Sequence, residues 1–468
     1  MNDVLITASS ILTDYILVIA LLIAAVWFTF ATRGVQFRMF GEMCRLLLKS
    51  DNDPKAPATH HRHVSSFQAF TVSIASRVGV GNLAGVATAI TLGGPGAIFW
   101  MWAIALLGAA SAFIESTLAQ LFKVQGKDSY RGGPAYYILK GTGKRWWAVT
   151  FAVLIAVTFG LAFNSVQSNT VAMSLSSSFG VPVMVTAVIL TALSVAIICG
   201  GITGIARFSQ LVVPVMAVLY IVVALFVMVI NLDKLPQIFG LIFGEAFGIS
   251  QVAGGSIGGA MAIGIRRGLF SNEAGEGSAP NAAATATVSH PVKQGLIQTL
   301  GVFTDTLLIC SATAFIILCS GHWTGSQQGI VLTQQALDTT IGLAGFGSSF
   351  VAIAIFFFAF TSIVANYYYG ETNLLFIRQS KWLIYCYRAL VGALVFIGAI
   401  QPLGFVWQFA DVTMTLMTLC NLAALSVLGK YALRCLHDYE SQRLRGYDPV
   451  YHRRTIPSIA SHTECWPE

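Results

Sequence analysis

Two glycine-rich segments interrupt apolar stretches of the sequence, at residues 76–85 and 253–259. A helix broken inside a membrane exposes backbone groups that lipid cannot match, so such a break survives only beside a cavity or within protein. Free N–H groups at a helix end favour an anion such as a carboxylate, and unwound carbonyl groups coordinate a small cation. A zwitterion together with a sodium ion would satisfy both. Alternatively, the glycines allow two helices to pack closely. Close packing alone does not explain why the polar residues Arg77 and Asn82 lie in the first segment.

Polar side chains in two other apolar stretches extend this set of candidates. Asn164 and Gln167 are three residues apart and share one face of a predicted helix. They could bind an ammonium or carboxylate group, or bond only to a neighbouring helix. Thr361 and Ser362, followed by Asn366, offer oxygens of the kind that hard cations prefer.

Charged side chains inside the apolar stretches are further candidates for functional residues. Burying a charge in a membrane costs free energy, so a charged residue that is kept there usually has a function. Arg77 lies at the first break, where it either approaches a substrate carboxylate or pairs with a buried acid and holds the break open. We expect Glu115, Asp305 and Asp411 to be structural partners or gate residues rather than ligands of a coupling ion. The full set is Arg77, Glu115, Asp305, Glu371, Arg388 and Asp411.

The composition excludes a soluble protein. Of the 468 residues, 56% are hydrophobic and only 10% are charged, whereas soluble domains carry about 25% charged residues. The net charge of +7 does not indicate nucleic-acid binding, because the basic residues lie between the hydrophobic stretches. None of the eight histidines falls within a predicted span and no HExxH motif occurs, so the sequence does not predict an enzyme. The eight cysteines are scattered, and we expect no disulfide framework, no zinc site and no organic cofactor.

The apolar stretches predict an all-α integral membrane protein with eleven transmembrane helices, each of about 20 residues or more. Their predicted bounds are 14–32, 66–92, 95–123, 147–178, 181–200, 207–230, 240–267, 292–320, 346–377, 382–401 and 404–433. With the N-terminus outside, 24 of the 27 basic residues fall in inside loops, in the C-terminal tail or at their borders. Lys234 falls in an outside loop, and Arg77 and Arg388 lie within spans. The C-terminus is therefore predicted to be cytoplasmic.

The two breaks also predict an internal symmetry. Apart from the first span, ten spans form two sets of five, and each break lies in the first helix of its set. Because five is odd, the second set enters from the opposite side, which gives a 5+5 inverted repeat with the binding site between the broken helices. The predicted units are an extra N-terminal transmembrane helix (1–33), an amphipathic segment with a linker (34–65), two repeats (66–231 and 232–434) and a polar tail (435–468).

Four segments resemble the alanine or glycine:cation symporter family, the sodium:alanine symporters of the leucine-transporter fold superfamily. They are RVGVGNLAGVATAITLGGPGAIFWMW (77–102), RGGPAYYI (131–138), RRGLFSNEAGEGSAPNAAA (266–284) and FAFTSIVANYYYGETN (358–373). The resemblance covers roughly residues 15–435, and Arg77 and Asn366 are similar to the Gram-negative branch. We interpret residues 271–280 as part of an inner gate in which Glu273 or Glu276 pairs with basic residues, or as a capped loop.

The resemblance implies a leucine-transporter-like core and a set of binding residues. The implied sodium ligands are the carbonyl groups of Ala75, Val78 and Phe358 and the hydroxyl groups of Thr361 and Ser362. The substrate carboxylate would meet the amides around Gly79 to Gly81 and the side chain of Asn82. The full set of substrate-binding candidates is Ser73, Arg77, Gly79, Val80, Gly81, Asn82, Gln167, Gly254, Gly255, Ser256 and Asn366. We expect one coupled cation, because Arg77 adjoins the position of a second.

The function implied is sodium-coupled uptake of small neutral amino acids, namely alanine, glycine and serine, across a bacterial inner membrane. The expected partners are that amino acid, sodium and the lipid bilayer, and no nucleic acid. A proton-coupled symporter or an exchanger of the same fold is the alternative, with Asp305 and Glu115 as candidate titrating acids. A channel is disfavoured because no selectivity filter is evident. The sequence leaves the preferred amino acid and the oligomeric state open.

Overall fold

Helices make up most of the structure, a computed structural model that describes residues 10–49, 64–126, 129–199, 201–248, 257–325 and 327–468. Helices of the first half are α1 (Ile11–Ala31), α2 (Val35–Arg38), α3 (Phe40–Leu48), α4 (Ser66–Arg77), α5 (Gly81–Gly93), α6 (Gly96–Leu121), α7 (Pro134–Thr142), α8 (Arg145–Phe179), α9 (Val183–Ile198) and α10 (Gly201–Ile230). Between α6 and α7, two short antiparallel strands, β1 (Val124–Gln125) and β2 (Tyr130–Arg131), form a hairpin.

The second half continues with eight helices in the described part of the chain. They are α11 (Leu235–Ala246), α12 (Ile257–Asn272), α13 (Ala279–Ala283), α14 (Pro291–Ser320), α15 (Gly329–Ile341), α16 (Phe346–Ile377), α17 (Lys381–Ile400) and α18 (Leu403–Leu444). Short 3-10 turns lie at Leu232–Lys234, His322–Thr324, Arg453–Thr455 and Pro457–His462.

Eight described helices are long and apolar enough to cross a membrane, and α4 with α5 adds a ninth if that bent pair is one span. The eight lie in α1, α6, α8, α10, α14, α16, α17 and α18. Their outer surfaces carry large apolar side chains such as Phe30 and Trp382. Lipid solvates such surfaces, whereas water would not. The chain is therefore a multi-pass helical membrane protein, as its composition predicts.

The predicted seventh span, 240–267, is wrong in its bounds. The structure has two helices there, α11 and α12, and α12 runs on to Asn272. Arg266 and Arg267 were expected at the inner border of that span. Instead Arg266 lies 2.6 Å from Asp14 and Arg267 pairs with Asp411, in the half of the bundle where α1 begins. Arginines that pair with buried acids are neutralised within the protein. They therefore do not indicate which side of the membrane a helix end faces, as unpaired basic residues in loops do.

The amphipathic segment is tied into the bundle. Glu42 of α3 is buried and accepts hydrogen bonds from Arg45 at 2.6 and 2.8 Å and from the Tyr439 hydroxyl of α18 at 2.6 Å. Arg443 of α18 lies 3.1 Å from the same carboxylate. Charge-assisted hydrogen bonds of this kind are stronger than neutral ones. This cluster therefore fixes α3 against the end of α18. The linker of residues 50–63 lies outside the described residues.

The polar tail is packed rather than extended. Trp466 is 1% exposed, and its indole N–H donates to the carbonyl groups of Gln120 and Leu121 at the end of α6. The Nζ atom of Lys123 lies 4.5 Å from the Trp466 ring and 4.1 Å from the Tyr130 ring. Burial lowers the pKa of Lys123 to about 7. The tail therefore closes over the β1–β2 hairpin through one aromatic anchor.

We expect Trp466→Ala to loosen this tail, because removing a buried tryptophan costs about 3–5 kcal/mol. The loss should appear as faster hydrogen exchange of the Tyr451 and Arg453 amides, which bond to the Ser289 and Pro467 carbonyls. Trp146→Ala is the matched control, because that side chain is 68% exposed. Equal exchange in both variants would contradict the anchoring role.

Candidate functional site

The first predicted break is present in the structure. Helix α4 begins with a capping box at Ser65 and ends at Arg77, Val78 is extended, and α5 starts at Gly81 after a bend of 47°. A Cβ atom on Gly79 would lie 2.5 Å from the Ser362 hydroxyl oxygen. Only glycine allows so close an approach to the backbone here. The interruption therefore brings α16 directly against the unwound chain.

Side chains satisfy the backbone amides that the break exposes. The Gly79 N–H donates to Asn82 Oδ1 at 2.9 Å, and the Val80 N–H donates to Gln167 Oε1 at 3.1 Å. Asn82 and Gln167 are both buried, on α5 and α8. Two neighbouring N–H groups held by amide oxygens form a site that a carboxylate can enter by displacing those oxygens.

The predicted sodium ligands converge on the other side of the break. The Ser362 hydroxyl lies 2.8 Å from the Ala75 carbonyl oxygen, 2.9 Å from that of Phe358 and 3.3 Å from that of Val78. The Thr361 hydroxyl lies 2.8 Å from the Phe358 carbonyl oxygen. One hydroxyl proton bonds to one carbonyl group at a time, so the Ser362 hydroxyl is shared between oxygens of α16 and of the unwound chain. Oxygen ligands of this type fit a hard cation such as sodium.

A second interruption faces the first, between α12 and α13. Glu273, Gly275 and Gly277 have φ values of 58°, 89° and 88°, which end the helix because the left-handed region is strained for most residues. A Cβ atom on Gly81 would lie 3.1 Å from Phe270 and from Ser271 at the end of α12. The two interruptions are therefore in contact.

The sequence placed the second break earlier, at residues 253–259. Gly254, Gly255 and Ser256 lie outside the described residues, and α12 begins at Ile257. The segment 271–280, interpreted from sequence as a gate or a capped loop, contains the interruption that meets the first break. The break predicted at 253–259 therefore stays a prediction, and the interruption between α12 and α13 is a further one, where two glycines with positive φ stop the helix.

Acidic side chains hold the second interruption in place. Glu115 of α6 accepts hydrogen bonds from the Gly275 and Gly277 amides at 3.2 and 3.0 Å and from the Asn421 side chain at 3.0 Å. Glu115 thus bonds to the backbone of this loop, and its role as a structural partner or gate residue stays a prediction. Glu273 accepts hydrogen bonds from Ser76 of α4 at 2.6 Å and from Ser278 at 2.5 Å, and no basic side chain of the described residues lies within 4.0 Å of it.

The remaining polar candidates connect the two breaks through hydrogen bonds. The Ser76 hydroxyl also lies 2.8 Å from Asn366 Oδ1, and the Asn366 amide donates to Asn164 Oδ1 at 3.1 Å. Ser73 is buried one helical turn before Arg77. Asn366 therefore faces α4 and α8 together, through a network rather than as an isolated ligand.

Asp305 of α14 lies directly beside the first break. It accepts hydrogen bonds from the Asn82 side-chain amide at 2.6 Å, from Ser271 at 2.8 Å and from Thr306 at 2.9 Å. All four side chains are buried. Asp305 therefore orients Asn82, so that its Oδ1 atom faces the Gly79 amide.

Arg77 contacts α14 rather than the hydroxyl groups of α16. The residue is 1% exposed, and its Nη1 atom donates to the Gln298 carbonyl of α14 at 3.1 Å. A Cβ atom on Gly301 would lie 2.2 Å from the same nitrogen. Within the described chain, no carboxylate lies within 4.0 Å of it. Arg77 thus packs the end of α4 against α14 without the acidic partner that the second sequence alternative requires, and its role at the break stays a prediction.

An aromatic lid covers the break at the end of the bundle where α1 begins. The Phe270 ring packs between Phe163 and Trp407, with centroids 4.4 and 4.8 Å away, and the Arg267 guanidinium stacks on Trp407 at 4.4 Å. Beyond this lid lies a cavity of about 480 Å³ lined by Arg266, Arg267, Gln328, Trp407 and Asp411 among others. This role of the aromatic residues could not be predicted from the sequence, because their spacing does not differ from that of other aromatic residues in the spans.

A family model described as the sodium:alanine symporter family matches residues 1–453 of the chain. The chain belongs to the sodium:alanine symporter family. It is thus a membrane transporter and not an enzyme. The family resemblance recognised in the sequence is confirmed.

Relatives and a solved structure agree with this assignment. The chain is 49% identical to the probable sodium/glutamine symporter GlnT of Bacillus subtilis strain 168, over 98% of this chain and 95% of that protein. It is 44% identical to the putative sodium/proton-dependent alanine carrier protein YrbD of the same strain, over 92% and 90%. A crystal structure of MhsT in complex with L-phenylalanine matches 87% of this chain and 93% of that one, with a TM-score of 0.57 and 13% identity. That likeness shows the leucine-transporter fold.

We expect Gly79→Ala to destabilise the break, because its methyl group would displace the Ser362 hydroxyl from the Ala75 and Val78 carbonyl groups. Overpacking of this kind costs about 1–3 kcal/mol, measurable by thermal unfolding in detergent. Gly85→Ala is the matched control in the same segment, since its nearest neighbouring atoms would be 3.7 and 3.8 Å away. Equal losses in the two variants would show that glycine is needed for reasons other than this contact.

Proposed function

We propose that the protein takes up small neutral amino acids, namely alanine, glycine and serine, together with sodium by alternating access. The observation that carries the proposal is the convergence of the Ala75, Val78 and Phe358 carbonyl oxygens on Ser362. This cation-binding geometry lies on the same unwound residues whose amides can bind a carboxylate. The family and the relatives named for sodium support the choice of ion.

The substrate carboxylate would bind the Gly79 and Val80 amides in place of the Asn82 and Gln167 oxygens. Gly81 adds a third backbone position at the start of α5. Sodium would then lie between Ser362 and the same unwound chain, so each ligand would stabilise the geometry that the other needs. Coupling of this reciprocal kind is typically worth 1–3 kcal/mol.

Aromatic side chains beside the break support a small substrate. Phe163 and Phe270 lie with ring centroids 4.4 Å apart, and a Cβ atom on Gly81 would lie 3.1 Å from the Phe270 ring. Rigid aromatic walls beside the binding amides leave little room for a long side chain. Alanine fits this restriction better than glutamine, the amino acid for which one relative is named, so glutamine is the informative competitor.

The proposed topology keeps the arrangement predicted from sequence. Eleven transmembrane helices comprise an extra N-terminal helix and two inverted repeats of five, at 66–231 and 232–434, with the N-terminus outside and the C-terminus cytoplasmic in the bacterial inner membrane. The segment between α12 and α13 lies beyond the predicted seventh span, so it is a further interruption beside the one predicted at 253–259. The aromatic lid with the Arg267–Asp411 pair would then close the outer side. Glu115 on the Gly275 and Gly277 amides would close the inner side.

We expect proteoliposomes that contain the protein to take up alanine in a sodium-dependent way. Ser362→Ala should raise the sodium concentration needed for half-maximal uptake by about tenfold or more, since it removes a ligand oxygen. Thr361→Ala should act in the same direction. Ser426→Ala is the control, because that hydroxyl is exposed on α18 and bonds only to the Ala423 carbonyl. Unlabelled alanine should compete better than glutamine. Uptake that is unchanged when potassium replaces sodium would contradict the proposal.

Proton coupling is the second candidate, and Glu276 is the residue that favours it. Glu276 is fully buried, and neither of its carboxylate oxygens has a hydrogen-bond partner in the described chain. An ionised carboxylate without partners is expensive to bury, whereas the protonated form costs much less. Asp305 and Glu115, the candidates from sequence, each accept three hydrogen bonds and thus fit ionised acids better.

Glu276→Gln imitates the protonated form of the side chain. We therefore expect sodium-driven uptake to change by less than about threefold. Any uptake driven by a pH gradient alone should disappear, because glutamine cannot release a proton. Glu464→Gln, at an exposed acid of the tail, is the control. Loss of sodium-driven uptake in Glu276→Gln, with normal expression and melting temperature, would contradict a neutral Glu276.

A further inference from the structure

A polar cavity of about 600 Å³ lies where α16 ends and α17 begins, beside the β1–β2 hairpin. Its charged lining residues are Arg131 of β2, Glu371 of α16 and Lys381 and Arg388 of α17. Three cations against one carboxylate give this cavity an excess of two positive charges. Ser380 and Lys381 also place the start of the 20-residue helix α17 at the cavity, where helix N–H groups favour an anion.

Arg388 is the innermost of these cations, and its position is fixed. Its Nε atom donates to the Tyr367 hydroxyl at 2.8 Å, and its Nη2 atom lies 3.9 Å from Glu371. The latter distance is long for a charge-assisted hydrogen bond. The guanidinium group therefore retains the capacity to bind a further acceptor. The sequence identified Arg388 as a costly charge within a span, and neither proposed binding site uses it.

A second cavity, an apolar groove of about 700 Å³, continues from the first between α9 and α17. The two cavities share Tyr385 and Arg388. The groove then follows Val195, Gly392 and Ile397 along the apolar length of both helices. Val188 and Ile397, near its far end, are 54% and 42% exposed. This surface lies on the part of the bundle that crosses the membrane.

We propose that this pair of cavities binds one anionic phospholipid, with its phosphate against Arg131, Lys381 and Arg388 and an acyl chain in the groove. A phospholipid joins an anionic head to an apolar chain, as the two cavities that share Tyr385 and Arg388 require. Basic pockets between helices at the membrane surface are typical headgroup sites. In the proposed topology this lipid belongs to the inner leaflet, and the site does not depend on which substrate is carried.

The proposal can be tested by native mass spectrometry of the full-length protein with added phosphatidylglycerol, phosphatidylcholine or glycerol 3-phosphate. Each surface cation contributes about 1 kcal/mol to anionic-lipid binding. We therefore expect the double variant Arg131→Gln/Lys381→Gln to bind phosphatidylglycerol at least about tenfold more weakly. Lys144→Gln/Arg145→Gln is the matched control, because it removes two exposed cations beside α8 that do not line the cavity.

Ala389→Phe tests the acyl chain independently of charge, because it fills the groove at an exposed position. We expect it to weaken phosphatidylglycerol binding while leaving the melting temperature of the lipid-free protein unchanged. Glycerol 3-phosphate should not compete. Competition by glycerol 3-phosphate would indicate a free-phosphate site, and a dimer lost in Ala389→Phe would indicate a second copy of the chain in the groove. Either result, or equal losses in both double variants, would overturn the proposal.

Discussion

The main constraint on this structure is the backbone that α4 and α5 leave unpaired between Ala75 and Gly81. Hydrocarbon cannot hydrogen-bond those groups, so the surrounding helices must supply every partner. Asn82 binds one amide, Gln167 of α8 binds the next, and Ser362 of α16 lies against the carbonyl groups. The helices around the break are therefore positioned by the same polar groups that make the site. If the proposed function holds, folding and binding depend on one set of contacts.

The second interruption meets this constraint differently. Its amides at Gly275 and Gly277 are held by the carboxylate of Glu115, which reaches them from α6. A carboxylate on backbone amides is a strong but reversible contact, and no side chain of the loop itself is needed for it. The first break is thus held by the side-chain amide oxygens of Asn82 and Gln167. The second is held by an acidic side chain of another helix.

The sequence predicted the structure best where a local run of residues has a single structural meaning within a membrane. The multi-pass helical character and the first break could be predicted, because apolar length and clustered glycines are local signals. The carbonyl groups around Ser362 were implied only by the family resemblance, since paired hydroxyl groups are common in membrane helices. The interruption at Gly275 and Gly277 was interpreted as a gate or a capped loop, since these glycines lie among charged residues. Arg267 and Trp407 were missed because their meeting depends on how α12 and α18 pack, which no local pattern records. Trp466 docks onto Lys123 for the same reason.

The single hydroxyl proton of Ser362 has a consequence for the resting protein. Three carbonyl oxygens lie within 3.3 Å of that hydroxyl group, and at most one can accept its proton at any moment. Two of these oxygens belong to α4 and the unwound chain after it, and the third belongs to α16. Rotation of one side-chain torsion therefore changes which of the two segments is bonded. A single rotamer change at Ser362 can thus loosen or fasten the junction between them.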